Sequence, residues 1–418
     1  MKFIDLFAGL GGFHTGFAEH GFECVFASEI DESLQQLYKA NYHISPQGDI
    51  TKIKVEDIPK HDVICAGFPC QPFSLAGKKK GASCPSSGKL IDEVIRITKY
   101  HLPKYVLLEN VPNVLTIANG SFWQYLVKSF ADIGYSVDYR IISPVDIGIP
   151  QNRKRIFIIA YPTGKELIDI WPTKETSAPV SFETFLNKTL EHKLLEEKKY
   201  QQLVLWQELI QNCGLPERRA FSLAAPEFGA TYPEDFSKLT LKQIKKYKGA
   251  YGQSLSHCKS WTDVLEKLPA YVRKERKVAS WIQPSIQLSR YFYSQNKQYI
   301  TKWKQKLNKE NNSWQILEWR GIRNLPDLNT HLIQFRASGI RVLKPQIAPS
   351  LIAMTPTQIP VIFSEKRYLS KYEAAKLQHL QSLEFLPQNM TKAFKALGNA
   401  VNARIVSCIA KNLKLSLA

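Results

Sequence analysis

Cys70 stands in the stretch Gly67-Phe68-Pro69-Cys70-Gln71-Pro72-Phe73-Ser74. Two prolines stiffen this stretch, and the short apolar run Asp62–Ala66 precedes it directly. The thiol is therefore expected on a loop at the carboxyl end of a strand. One cysteine among seven is ordinarily buried and inert. A thiol on a stiff loop at a ligand-binding edge can instead ionise and act as a nucleophile. Glu109-Asn110 closes another apolar run, Tyr105–Leu108, at the same edge. An acid there is either a helix N-cap or a proton donor. Arg153 and Arg155 are two residues apart in Gln151-Asn152-Arg153-Lys154-Arg155 and are expected on one face of a strand. Two guanidiniums on one face call for an anion or a carboxylate, or else mark a solvated strand end.

A second group of residues suits a nucleotide-like ligand. Asp5-Leu6-Phe7-Ala8-Gly9-Leu10-Gly11-Gly12 lies where a first strand meets a first helix. Glycines at that turn let a ligand approach the backbone. Glu29 follows Gly11 by 18 residues, at the end of the second strand, where an acid can accept both hydroxyls of a ribose. Asp49, at the next strand edge, can meet an adenine amino group. The alternative is a tight turn with no ligand.

These residues need a sheet to align them. Lys2–Phe7, Phe22–Ser28, Asp62–Ala66, Tyr105–Leu108 and Arg155–Ala160 are short apolar strand candidates. Helical patterns at Phe13–His20 and Glu32–Ala40 separate the first of them. This alternation predicts a buried parallel sheet with crossover helices. Residues 161–366 break the rhythm: Leu186–Ile210 is a charged helix candidate, and basic stretches follow at Lys242–Lys248, Arg273–Lys277 and Lys302–Lys309. Helical patterns return at Glu373–Gln378 and Ala400–Leu415. No internal repeat or low-complexity tract is present.

The charge follows the same division. The chain of 418 residues carries a net charge of +19. Residues 1–160 hold +1 of it, 161–366 hold +12 and 367–418 hold +6. Seven of the eight tryptophans lie in 161–366. A basic, tryptophan-rich middle suggests a polyanion partner, or a solvated basic surface. Seven cysteines without a CxxC spacing or a Cys/His cluster argue against a disulfide framework and a structural zinc site. No apolar run reaches the roughly 18 residues of a membrane span, and Asp5 interrupts any signal-peptide core. A cytoplasmic, nucleoid-associated protein is expected.

The ordered stretches FIDLFAGLGGF (3–13), GFPCQPFS (67–74), ENV (109–111), QNRKRIFIIA (151–160), RYLSKYEAAKLQ (367–378) and GNAVN (398–402) resemble the motif series of bacterial C5-cytosine-specific DNA methyltransferases. The resemblance covers roughly residues 1–160 and 367–418. It implies an α/β fold: a doubly wound, Rossmann-like methyltransferase sheet, discontinuous in sequence, with an inserted target-recognition domain at 161–366. It also implies methyl transfer from S-adenosylmethionine to C5 of a flipped cytosine, leaving S-adenosylhomocysteine. By resemblance, Cys70 attacks cytosine C6, Glu109 contacts N3 and the exocyclic amine, and Arg153 and Arg155 hold the base carbonyl. Phe7, Gly9, Leu10, Gly11, Gly12, Glu29, Ile30, Asp49, Ile50, Pro69, Leu90, Asn399 and Val401 would line the cofactor site, and no metal is implied.

Gln71, Ser74 and Lys78 would touch double-stranded DNA. So would Arg336 and Arg341, in Phe335–Arg341, which with Ser350-Leu351 resembles the late part of the family's recognition domains. One stretch departs from the pattern. Where the family usually carries Asp-x-Arg-Gly, this chain has Pro85-Ser86-Ser87-Gly88 ahead of Lys89-Leu90. The chain opens directly on the first motif, which suits a prokaryotic enzyme paired with a restriction endonuclease, and a monomer is expected. A tRNA cytosine methyltransferase shares Pro-Cys-Gln, but its usual late Cys-Phe-Thr is absent here. A DNA-binding protein with an inactive core would not need Cys70, Glu109, Arg153 and Arg155 together. A nicotinamide dehydrogenase explains the glycines and Glu29 but not Pro69-Cys70-Gln71.

Overall fold

The computed structural model describes residues 1–69, 88–166, 169–174, 181–187, 192–351 and 358–415. The chain divides into two units: Met1–Lys188 with Pro349–Pro356 and Lys371–Ala418, and Thr189–Ala348 with Thr357–Ser370. The first division falls beyond the expected residue 160. Ile170 and Trp171 account for part of the difference. Both are buried in the first unit's core, and their carbonyls accept from Asn412 Nδ2 at 3.1 and 3.5 Å.

The first unit is built on strands β1 (Lys2–Leu6), β2 (Glu23–Ser28), β3 (Val63–Ala66), β4 (Tyr105–Asn110), β5 (Tyr135–Ile142), β6 (Gln151–Asn152) and β7 (Arg155–Pro162). Six of them form one sheet in the order β2-β1-β3-β4-β7-β5. Helices α1 (Gly12–Ala18), α2 (Glu32–Tyr42), α3 (Gly88–His101) and α4 (Ser121–Ala131) connect them. Alternate residues of each strand serve opposite faces. Val106 and Leu108 join a core with Ile91, Val94 and Leu126 of α3 and α4. Leu107 joins Phe13 and Phe17 of α1 on the other face. Burial on both faces is why these strands read as continuous apolar runs.

β1 to β4 pair in parallel, as expected. β7 does not: it runs antiparallel to both β4 and β5. Between Ile142 and Arg155 the chain holds one 3-10 turn (Pro144–Ile147) and β6 but no α-helix to carry a parallel crossover. β5 escaped the sequence pattern because most of its residues are half-buried or exposed.

The second unit holds α5 (Glu197–Cys213), β8 (Phe221–Ala224), α6 (Leu241–Ile244), α7 (Trp261–Glu266), α8 (Gln283–Gln295), α9 (Lys297–Trp303), β9 (Ile316–Trp319), β10 (Leu332–Arg336) and β11 (Gly339–Leu343). Three two-residue strands follow: β12 (Ala348–Pro349), β13 (Val361–Ile362) and β14 (Arg367–Tyr368). Its sheet has the order β14-β13-β10-β11-β9-β8. A separate core gathers Tyr232, Phe236, Ile244, Leu255, Val264 and Ile286. Trp206, Trp303 and Trp319 are fully buried, so much of the tryptophan excess is core. Trp281, at 76% exposure, is the exception. Among the described residues, no helix is long and apolar enough to cross a membrane.

The chain returns to the first unit as α10 (Lys371–Leu377), α11 (Met390–Asn399) and α12 (Ala403–Leu415). The long helix expected from Ala400 thus begins at Ala403, after a break. Asn402 caps it by accepting from Ile405 N at 3.2 Å, and its Nδ2 donates to Leu377 O at 3.0 Å. α12 lies so close to α1 that a Cβ on Gly16 would sit 2.6 Å from Val406 Cγ1 and 2.8 Å from Ala403 O. Gly16→Ala gains helix propensity of about 1 kcal/mol but must push α12 away. Overpacking costs about 1–3 kcal/mol, so a net loss of unfolding free energy is expected in chemical denaturation. Unchanged or greater stability would contradict the packing described.

Candidate active site at the carboxyl edge of the first sheet

β1 ends in a turn that no ordinary sequence adopts easily. Phe7, Gly9 and Gly11 have φ of 57°, 55° and 77°, and the latter two are the residues that tolerate it best. Gly9 N donates to Glu29 Oε2 at 2.8 Å, and Asp31 N donates to Glu29 Oε1 at 2.9 Å. The glycine turn and the acid at the end of β2 are thus joined. Ile30 beside Glu29 is 72% exposed, an aliphatic side chain left open at a strand's carboxyl end. Asp49 accepts from Thr51 N and Oγ1 with one oxygen.

Other members of the expected cofactor set are placed less openly. Leu10 and Ile50 are buried at 2% and 3%, with Ile50 in the core, so each offers a ligand mainly its backbone. Gly12 sits under the C-terminal segment: a Cβ on it would lie 2.3 Å from Val401 O. Val401 is buried, Leu90 half-buried, and Pro69 and Asn399 exposed.

At the ends of β3 and β4 the acid and the guanidiniums converge. Glu109 is buried, and Arg155 Nε lies 3.1 Å from its Oε1, close enough for an ion pair. Burial pushes the Glu109 carboxyl above its ordinary pKa, opposed by the charges of Arg155 and Arg153. A Cβ on Gly67 would lie 3.1 Å from Val401 and 3.9 Å from Glu109 Oε2. The strand exit leading to Pro69 therefore passes beside this carboxyl. Asn110, given no role by the sequence, ties the two ends together: its Nδ2 donates to Phe68 O at 3.2 Å.

Arg153 is not on a strand face with Arg155. It falls in the two-residue gap between β6 and β7 and turns into the interior. It is 2% exposed, and its Nη2 donates to Ala400 O at 3.0 Å. Its Nη1 donates to Ser350 Oγ at 3.4 Å and Leu351 O at 3.5 Å, and its backbone N to Ser143 Oγ at 3.1 Å. Nε has no hydrogen-bond partner among the described residues. Burial lowers the guanidinium's pKa to about 9, which leaves it charged at neutral pH. Ser350 and Leu351, expected to meet DNA, are occupied here with Arg153.

Cys70, Gln71, Ser74 and Lys78 lie outside the described residues. In the second unit, Arg341 pairs with Glu318, its neighbour across the β11–β9 ladder, at 2.6 Å. Arg336 is half-buried, and burial lowers its pKa. The basic stretch Arg273–Lys277 is also partly engaged: Arg273 donates to Leu268 O and Glu266 O, and Arg276 lies 4.0 Å from the Trp261 ring. Among the described residues, no three metal-ligating side chains gather.

A glycine turn, an acid at the next strand end and a buried acid–guanidinium cluster, all at the carboxyl edge of a doubly wound sheet, define an α/β ligand-binding protein. The chain belongs to the C-5 cytosine-specific DNA methylase family, whose model matches residues 1–415. It is 32% identical over 348 residues to the Type II methyltransferase M.DsaV of Dactylococcopsis salina, covering 76% of this chain and 97% of that one. It is 41% identical over 161 residues to M.MspI of Moraxella sp., where the match spans 38% of each chain. Against M.BsuFI of Bacillus subtilis it is 46% identical over 161 residues, 38% of this chain and 39% of that one. The match thus spans less than half the length of these last two relatives. Among solved structures, S. pombe Dnmt2 methyltransferase superposes with a TM-score of 0.51 at 15% identity, over 100% of this chain and 99% of that one. The Entamoeba histolytica methyltransferase EhMeth gives 0.52 at 15%, with the same coverage. These two likenesses establish a shared fold.

Proposed function

We propose that this chain transfers a methyl group from S-adenosylmethionine to C5 of a cytosine in duplex DNA, as the modification half of a restriction-modification pair. The observation that carries the reading is Glu109: a buried carboxyl of raised pKa, paired with Arg155, beside the strand exit that leads to Cys70. Cytosine C5 is a poor carbon nucleophile. Addition of the Cys70 thiolate at C6, with a proton held by Glu109 at N3, makes the ring enamine-like. Arg155 and Arg153 keep the acid in place and neutralise it when it has given up the proton. Arg153 Nε, a buried donor with no partner among the described residues, is suited to the base carbonyl. Once C5 has taken the methyl group, its proton leaves and the Cys70 thiolate is eliminated, restoring the aromatic ring. The ring edge is hidden within a duplex, so the base must turn out.

S-adenosylmethionine, when bound, supplies the electrophilic methyl group. The residues fit it: open space beside Gly9 in the glycine turn, an acid at the end of β2, and the open side chain of Ile30. Glu29 would bind the ribose hydroxyls and Asp49 the adenine amine. Glu29→Ala should weaken cofactor binding by about 1.5–3 kcal/mol, the range for a hydrogen bond to a charged group. Unchanged affinity in calorimetry would remove Glu29 from the site. Bisulfite sequencing of host DNA with and without the gene tests the activity: protection of cytosines at one defined sequence supports it, and identical patterns contradict it.

A further inference from the structure

The second unit holds a half-open cavity of about 590 Å³ that the proposed reaction does not use. Tyr251, Tyr271 and Trp281 are in its wall, and it is lined by three cations: Lys309, Lys267, which also donates to Ser254 O, and Arg273, which also donates to Leu268 O and Glu266 O. One wall is fixed from behind. Glu227, fully buried, accepts from the hydroxyls of Tyr271 at 2.6 Å and Tyr232 at 2.5 Å, and from Arg290 Nε at 3.0 Å. Lys309 Nζ lies 4.7 Å from the centre of the Tyr251 ring. Of the two acids in the wall, Glu318 is paired with Arg341, and Glu266 is exposed.

Gln315 decides the kind of ligand. It lines the cavity, is 2% exposed, and its amide oxygen accepts from the Tyr251 hydroxyl. Its amide nitrogen has no hydrogen-bond partner among the described residues. A buried amide end in this state favours a ligand with a polar edge over a purely apolar one. A purely aliphatic ligand would leave the amide and the cations unused. A small anion would leave the aromatic wall unused. A planar heterocycle carrying a phosphate uses all three.

We propose that this cavity binds a nucleotide: the base against Tyr251 and Trp281 with its polar edge toward the Gln315 amide, and the phosphate at Lys309, Lys267 and Arg273. The turn Ala337-Ser338 between β10 and β11 completes the wall, so the site adjoins the Phe335–Arg341 segment singled out for nucleic-acid contact. The nucleotide comes either from a DNA strand, which rests on the function proposed above, or from free solution.

Equilibrium dialysis of the four deoxynucleoside 5′-monophosphates against the full chain tests the site. At least one should be retained, and Trp281→Ala and Lys309→Ala, both surface changes, should each weaken it about tenfold, the size of one base stack or one phosphate contact. Gln315→Leu should weaken it similarly, with the modest drop in melting temperature expected from leaving the Tyr251 hydroxyl unpaired. A duplex carrying 2-aminopurine near the methylated cytosine separates the sources. A fluorescence rise lost in Trp281→Ala identifies a strand nucleotide, whereas retention of monophosphates without that rise identifies a free one. No retention and no Trp281-dependent rise overturns the site, even in a preparation that methylates DNA. A preparation that binds nucleotides but methylates nothing overturns the functional proposal and leaves the cavity's ligand standing.

Discussion

Glu109→Gln is expected to lower the rate of methyl transfer by about 10²- to 10⁴-fold, the contribution of a positioned general acid, while DNA binding stays near that of the parent. Glutamine keeps the shape and can still meet the base, but it has no proton to give N3. The pH dependence follows from the same group. Burial holds the carboxyl above its ordinary pKa, so the protonated, donating form persists to higher pH than for a free glutamate. The part of the rate that Glu109 supplies should be present below that raised pKa and fall as pH rises through it, while the thiolate fraction of Cys70 grows in the same direction. The variant's residual activity should lack this decline. Single-turnover rates across pH, beside binding of a labelled duplex, check both parts. A variant with the parent's rate would leave Glu109 as a structural acid.

Arg153→Ala should cost about 3–5 kcal/mol of folding stability, the range for breaking a buried charged network. It should also abolish methyl transfer. Acceptors in two segments remote from Arg153 in sequence lose their donor: Ser350 Oγ with Leu351 O, and Ala400 O. The side chain is fully buried, so a cavity remains as well. Glu109 meanwhile loses one of the two charges that oppose its burial. Arg153→Lys keeps the charge but not the fork, and should recover part of the stability and little of the activity. Denaturant melts and rate measurements on both variants separate the effects. Parental stability in Arg153→Ala would show that Arg153 does not tie these segments together.

The contrast between these two residues shows what a sequence can tell. Glu109 ends a continuous apolar run, and its strand is buried on both faces, so period and burial placed it at the right edge. Arg153 looked like a strand residue because of its spacing from Arg155. Its course is set instead by partners 197 to 247 residues away, which no local pattern carries. β5 was missed for a related reason: its pattern is mostly half-buried, and its pairing with β7 replaces a parallel crossover. In the second unit the charge was legible but its disposition was not. Arg341 faces Glu318, Arg276 faces Trp261, and three of the seven tryptophans in 161–366 are fully buried. The cavity around Gln315 left no sequence signal, because its wall is assembled from strands, helices and loops spread across residues 222–338.

The central claim, that the Cys70 thiolate adds to C6, is tested most directly by a duplex whose target cytosine carries fluorine at C5. After methyl transfer that ring has no C5 proton to lose, so the thiol cannot be eliminated. A covalent enzyme–DNA adduct should form only when S-adenosylmethionine is present. Mass spectrometry should find a methylated, fluorinated ring joined through Cys70. Cys70→Ser should give no adduct, since a hydroxyl is far less ionised near neutral pH than a thiol of pKa about 8.5. An adduct mapped to Cys65 or Cys84, or full methyl transfer by Cys70→Ala, would contradict the account.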